Sequence, residues 1–238
     1  MITSFKGKKI LVTGYSSGIG NCLIKKYLSL GAKVYSTSTK LQFKKKNLIV
    51  LKCNFLNQNS QDIFFKKIEN ITFDVVVNNA GINIIDEIYN IKDQDIEKII
   101  RINLTIPAQI IKLTSRRMIK RRKGKIINIS SIFGSISKSK RASYSSSKSG
   151  LIGLTKASAL DLAKYDILVN SVSPGFIDTK LTRKILGKNL MKKIKNQIPL
   201  KKIAKPDEII PYIIFLSSDN NNYITGQNCV IDGGFVIQ

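Results

Sequence analysis

Short runs of Ile, Val and Leu alternate along the chain with longer stretches in which apolar residues recur every three or four positions. The short runs predict strands at residues 9–13, 33–37, 48–52, 73–77, 125–130, 168–173 and 229–232. The longer stretches predict helices at 19–30, 60–70, 93–101, 105–122, 144–165 and 207–216. Strands that are apolar along their whole length are covered on both faces, and strand–helix alternation builds parallel βαβ units. The pattern therefore predicts one α/β domain over residues 1–238, with a doubly wound, seven-stranded parallel sheet.

Two segments depart from that rhythm. Only ten residues, 38–47, connect the second and third predicted strands, and they include Lys44, Lys45 and Lys46. A parallel crossover usually takes a dozen or more residues and a helix. The expectation is a helix truncated to a turn, with that edge of the sheet left open. Residues 176–200 form the second departure and are expected to make a mobile flap over a substrate.

Composition narrows the chemistry. The 238 residues are 43% hydrophobic and 23% charged, proportions of a folded globular chain. Histidine is absent, which removes imidazole bases, His-dependent triads and His-ligated metals. Cys22, Cys53 and Cys229 lie far apart, without a C-x-x-C pair for zinc, so no metal site is expected. Sparse cysteines point to a reducing, cytoplasmic compartment. No signal region or membrane span is expected, because the longest apolar stretch, near Ile209, holds Pro211 and is short. The net charge of +25 comes from 33 Lys and 7 Arg spread along the chain. A nucleic-acid binder concentrates cations in one stripe with aromatic platforms, so nucleic acid is not expected as a partner.

Thr13-Gly14-Tyr15-Ser16-Ser17-Gly18-Ile19-Gly20 follows the first strand and opens a helix. Glycines there permit a tight turn and close approach of backbone to a pyrophosphate over the helix N-terminus. That context makes the domain Rossmann-type and makes Gly14, Ser16, Ser17, Gly18, Ile19 and Gly20 candidate cofactor residues. An NAD site places Asp or Glu at the end of the second strand for the ribose 2′-hydroxyl. This chain has Thr37, Ser38, Thr39 and Lys40 instead, which favours the 2′-phosphate of NADP, with NAD still open. A basic residue just before Gly18 would add a phosphate anchor, but Ser17 stands there.

Tyr144 and Lys148 lie four apart on one helical face. A free phenol has a pKa of about 10, and an ammonium beside it favours its ionisation. Ser131 closes the preceding strand, at the carboxyl end where active sites of parallel sheets gather. Taken alone, a Tyr and a Lys in the Ser-rich stretch 143–149 read as surface residues. In order and spacing, however, the Thr13–Gly20 turn, Asn78-Asn79-Ala80-Gly81, Asn103, Ser131, Tyr144/Lys148, Ser173-Pro174-Gly175, Tyr223–Gly226 and Asp232-Gly233-Gly234 resemble the short-chain dehydrogenases/reductases over essentially the whole chain.

The resemblance implies hydride transfer between a nicotinamide and a carbonyl or secondary alcohol. It implies Tyr144 as general acid or base, Lys148 as the group that lowers its pKa and binds the nicotinamide ribose, and Ser131 on the reacting oxygen. Asn103 would hold a water that relays protons through Lys148. Asn79, Ala80 and Gly81 would line the adenosine ribose and the floor, Asn54 and Phe55 the adenine, and Pro174, Gly175 and Ile177 the nicotinamide end. It also implies a homotetramer through the helices at 105–122 and 144–165.

Within that family the general look is that of 3-oxoacyl-acyl-carrier-protein reductases. Arg122 falls at their basic carrier-docking position. The second docking cation is replaced by Tyr165 beside Lys164, and residues 82–91 lack their Arg/Asp pattern. Lys138, Lys140 and Arg141 stand where those enzymes have small neutral residues. Three cations there fit an acyl carrier tether, a sugar acid or nucleotide sugar of surface polysaccharide synthesis, or a solvated charge run. The reductase expectation competes with a silent dinucleotide-binding regulator, which would have lost Tyr144 or Lys148, and with a basic nucleic-acid-binding protein, which would need a concentrated positive stripe and aromatic platforms.

Overall fold

A computed structural model describes residues 4–238, apart from the side chains at positions 180, 181, 184, 185 and 188. Strands β1 (Lys9–Val12), β2 (Lys33–Ser38), β3 (Phe43–Lys45), β4 (Leu48–Lys52), β5 (Val75–Asn78), β6 (Gly124–Ile129), β7 (Ile167–Pro174) and β8 (Asn228–Ile231) form one sheet. Its order is β3-β4-β2-β1-β5-β6-β7-β8. Seven strands are parallel, as expected; the eighth, β3, is an antiparallel edge strand that the sequence does not announce. Strand order reverses direction between β1 and β5, and a crevice opens there at the carboxyl ends.

Successive strand residues face opposite sides, so Ile10 and Val12 enter one apolar layer and Leu11 the other. The first layer is closed by Leu23 and Tyr27 of α1 (Gly18–Ser29) and by Ile213 of α7 (Ile210–Ser217). The second is closed by Phe64 of α2 (Gln58–Ile68), Ile110 and Met118 of α4 (Ile106–Arg121), and Leu162 of α5 (Ala142–Ala163).

Two connections differ from the pattern in the sequence. No helix follows β2, as expected, but the segment is more than a turn. Phe43 pairs with Val50, and its ring meets Tyr15 edge-on at 5.5 Å, so that margin of the crevice is walled and not bare. The helices expected at 93–101 and 105–122 are also not separate. A π turn, Arg101–Thr105, joins α3 (Asp93–Ile100) to α4. The extra residue in that turn carries Asn103, whose amide fastens the helix to the loop after β5. Over the crevice, α6 (Lys180–Gln197) breaks at Gly187, whose φ of 64° is left-handed.

Candidate active site

The phosphate turn is held from below. The Thr13 hydroxyl accepts hydrogen bonds from the amides of Asn79 and Ala80, each at 2.9 Å, and Asn79 Nδ2 donates to the Thr13 carbonyl at 2.8 Å. From the side, the Gly14 amide donates to the Thr37 hydroxyl at 3.0 Å. Gly14 has φ of 87° and Gly18 φ of 62°, a region that strains L side chains. Ser17 makes no side-chain capping bond at the start of α1, so the first-turn amides stay free for an anion. These features fit a dinucleotide pyrophosphate.

A cleft of about 460 Å³ runs from this turn to the end of β6. Gly14, Ser16, Ser17, Gly18, Ile19, Thr37, Ser38 and Thr39 line one end; Asn54, Phe55, Asn79, Ala80 and Gly81 line the middle. Ser131, Tyr144, Lys148, Pro174, Gly175 and Ile177 line the other end. Among the described residues no carboxylate lines this cleft, and its only cations are Arg141 and Lys148.

Tyr144 stands on the first turn of α5, within hydrogen-bond reach of the Ser131 hydroxyl. Burial pushes its phenol above 10, while the Ser131 hydrogen bond and the Arg141 charge pull it back. The expected lowering of this pKa is thus outweighed by burial. The Lys148 ammonium lies 5.8 Å from the phenol ring and donates to the Ile129 carbonyl at 2.8 Å. Burial lowers the pKa of that amine from 10.5 to about 8.

A stability effect follows from that lowered amine. The folded chain binds the Lys148 proton less tightly than the unfolded one, so the cost is largest below pH 8 and is relieved as pH rises from 8 towards 10.5. Lys148→Met is expected to exceed the wild type in stability at pH 7 by about 3 kcal/mol at most, with the gap closing by pH 10. Denaturant titrations of both proteins at several pH values check this.

Two expected residues are not in the cleft. Gly20 lies beneath the turn, where a Cβ would come within 2.2 Å of the Gly14 carbonyl. Asn103 is fully buried behind Gly81. Its Oδ1 accepts from the Ile82 amide at 2.9 Å, and Nδ2 donates to the Ile82 carbonyl at 2.9 Å and to Ser147 at 3.0 Å. Both amide hydrogens are thus committed to bracing.

The three expected cations also separate. Lys140 sits 3.4 Å from Glu87, Lys138 lines a second cleft, and only Arg141 enters the first. Arg122 lies at the amino end of β6, across about 20 Å of strand from Ser131, and donates to the Lys164 carbonyl at 2.7 Å. Sequence reasoning missed the aromatic wall. Phe133 meets Tyr144 at 6.5 Å and Phe176 at 6.1 Å between centroids. It also missed Thr179 and Thr182, which line the cleft from the start of α6. No periodic signal marks these positions.

A glycine turn on a helix N-terminus, joined by one cleft to a phenol, a hydroxyl and an amine at the switch point of a parallel sheet, defines a dinucleotide-dependent oxidoreductase. The comparisons agree. A family model described as enoyl-(acyl carrier protein) reductase matches residues 14–236. The 3-oxoacyl-acyl-carrier-protein reductase of Rickettsia typhi is 38% identical, over 98% of each chain. The structure of 4-hydroxyisoleucine dehydrogenase complexed with NADH is 33% identical with a TM-score of 0.91, covering 98% of this chain and 100% of that one. ElxO with NADP bound is 30% identical with a TM-score of 0.87, covering 97% and 99%. The chain belongs to the short-chain dehydrogenase/reductase family.

Proposed function

We propose that the protein reduces 3-oxoacyl groups on acyl carrier protein to 3-hydroxyacyl groups, using NADPH. The observation that carries this reading is the pairing of the Ser131 and Tyr144 hydroxyls at the end of the cleft, with Lys148 beside them. Two adjacent hydroxyls suit a carbonyl oxygen, which takes the proton itself. Reduction of a carbon–carbon double bond, the reaction in the family model's description, delivers its proton to carbon. The relative from Rickettsia typhi supports the 3-oxoacyl assignment.

When bound, the reduced dinucleotide supplies the hydride. Ser131 orients the carbonyl oxygen, and Tyr144 gives it a proton from the phenol. Lys148 holds positive charge beside the phenol and reaches the ribose end, while Asn103 fixes the loop carrying Gly81. The free amides of α1 hold the pyrophosphate. Ser38 and Thr39, with no acid beside them in the cleft, suit a 2′-phosphate, and bound NADP in ElxO supports that choice. NAD remains the runner-up, given NADH in 4-hydroxyisoleucine dehydrogenase.

The segment 176–200 covers the substrate end, with Gly187 as its point of flexure. A cytoplasmic tetramer through α4 and α5 completes the reading. The tetramer is supported by Leu160 on α5, which is 80% exposed. Arg122, remote from its own cleft, would then dock the carrier for a neighbouring copy.

The test supplies 3-oxobutanoyl-acyl-carrier protein with NADPH or NADH and follows the nicotinamide absorbance. The expected result is formation of the 3-hydroxyacyl carrier, at least about tenfold faster with NADPH, as one extra charged hydrogen bond would give. No consumption with any 3-oxoacyl carrier overturns the assignment.

A further inference from the structure

Arg141 is nine-tenths buried, with 9% of its surface exposed, and lines the cleft on the same helical turn as Tyr144. Its guanidinium stacks over Phe133 at 5.6 Å from the centroid, and the Tyr144 ring meets the same Phe133 at 6.5 Å. Nη1 is sealed from solvent and has no hydrogen-bond partner among the described residues. Among the described residues no carboxylate lines the cleft, and the acid Glu87 is engaged by Lys140 and Tyr89.

A buried charge without a counter-charge costs several kcal/mol, so buried cations are almost always paired. The amides at the start of α1 hold a dinucleotide's phosphates at the far end of the cleft, so they leave Arg141 unmatched. A neutral thioester carbonyl would accept a hydrogen bond but bring no charge. Burial pulls the Arg141 pKa down, and the one group acting against that is Tyr144.

Resting on the carbonyl-reduction reading above, we propose that the substrate end of the cleft is built for an anion. Besides carrier-bound 3-oxoacyl groups, it takes free 3-oxo acids whose carboxylate is clamped by Arg141 while the 3-carbonyl lies against Tyr144 and Ser131. In that reaction the carbonyl π bond breaks. Its carbon gains a hydride from the reduced dinucleotide and its oxygen gains the Tyr144 proton. The carboxylate is unchanged.

The test compares 3-oxobutanoate with its uncharged N-acetylcysteamine thioester, using NADPH, in the wild type, Arg141→Gln and Arg141→Lys. Wild type is expected to reduce the acid. Arg141→Gln should lower the acid-to-thioester ratio of kcat/KM on the order of 100-fold, and Arg141→Lys should restore part of it. In the presence of NADP, butanoate should raise the melting temperature of the wild type but not of Arg141→Gln. Quenching titrations with NADPH establish that each variant is folded, and the butanoate shift of the wild type decides the matter should Arg141→Gln not fold.

An unchanged ratio overturns the clamp. So does reduction of the thioester alone with no butanoate shift, which marks Arg141 as a packing residue on Phe133 and leaves carbonyl reduction standing. Reduction of neither compound by a chain that binds NADPH overturns the carbonyl-reduction reading itself.

Discussion

Tyr144→Phe is expected to lower kcat by about 1,000-fold while changing dinucleotide affinity by less than about threefold, the usual scale for losing a general acid without losing binding area. The substituted ring keeps its edge contact with Phe133, and Lys148 keeps its bond to the Ile129 carbonyl. Only the O–H is removed. Ser131 retains its hydroxyl, but an aliphatic alcohol gives up its proton far less readily than a phenol.

The raised phenol gives the prediction a pH signature. With its pKa held above 10 by burial, Tyr144 stays protonated through neutrality. It is therefore loaded for reduction, and oxidation of the hydroxyacyl product should accelerate as pH rises. Steady-state rates in both directions from pH 6 to 9, with a fluorescence titration of NADPH, check both parts. Undiminished turnover in the Phe variant would remove Tyr144 from the reaction.

Much of this site was legible because its parts ride on regular elements. A spacing of four on one helix places Tyr144 and Lys148 together whatever the rest of the chain does. A glycine turn between a strand and a helix likewise sets backbone amides at a helix N-terminus, where a phosphate fits. The edge strand Phe43–Lys45 was not legible, since three residues with two lysines carry no alternation. The π turn at Arg101–Thr105 was hidden for the opposite reason: apolar periodicity runs through it on both sides, and from it Asn103 reaches the backbone of Ile82, a contact 21 residues away that local pattern does not carry.

Charge was the least legible property. Lys138, Lys140 and Arg141 look alike in sequence. A left-handed Lys140, with φ of 67°, turns the chain just before α5, leaving Lys140 beside Glu87 and Arg141 inside the cleft. Arg122 is nine residues from Ser131, but an intervening strand sends the two to opposite ends of the sheet. Proximity in sequence predicts a shared site on a helix turn and the reverse across a strand.

Gly20→Ala should weaken NADPH binding by at least about 30-fold and destabilise the fold by about 2 kcal/mol, the range expected for a methyl forced into a packed site. Helix propensity alone argues the other way, because Ala is favoured over Gly by about 1 kcal/mol inside a helix. The added Cβ, however, would lie 2.2 Å from the Gly14 carbonyl and 2.4 Å from Asn79 Nδ2.

Neither neighbour is free to swing aside. Gly14 is tied to Thr37, and Asn79 is tied to Thr13 through its backbone and its side chain. The clash must therefore move the turn whose amides are proposed to hold the pyrophosphate. Gly153, on the exposed side of α5 with nothing within 4 Å of its notional Cβ, supplies the contrast. Gly153→Ala should stabilise the chain by about 0.5–1 kcal/mol and leave NADPH affinity untouched. Melting curves and NADPH titrations of the two variants, side by side, separate the close approach from propensity. Equal behaviour would mean that the turn yields and that Gly20 is dispensable to the cofactor site.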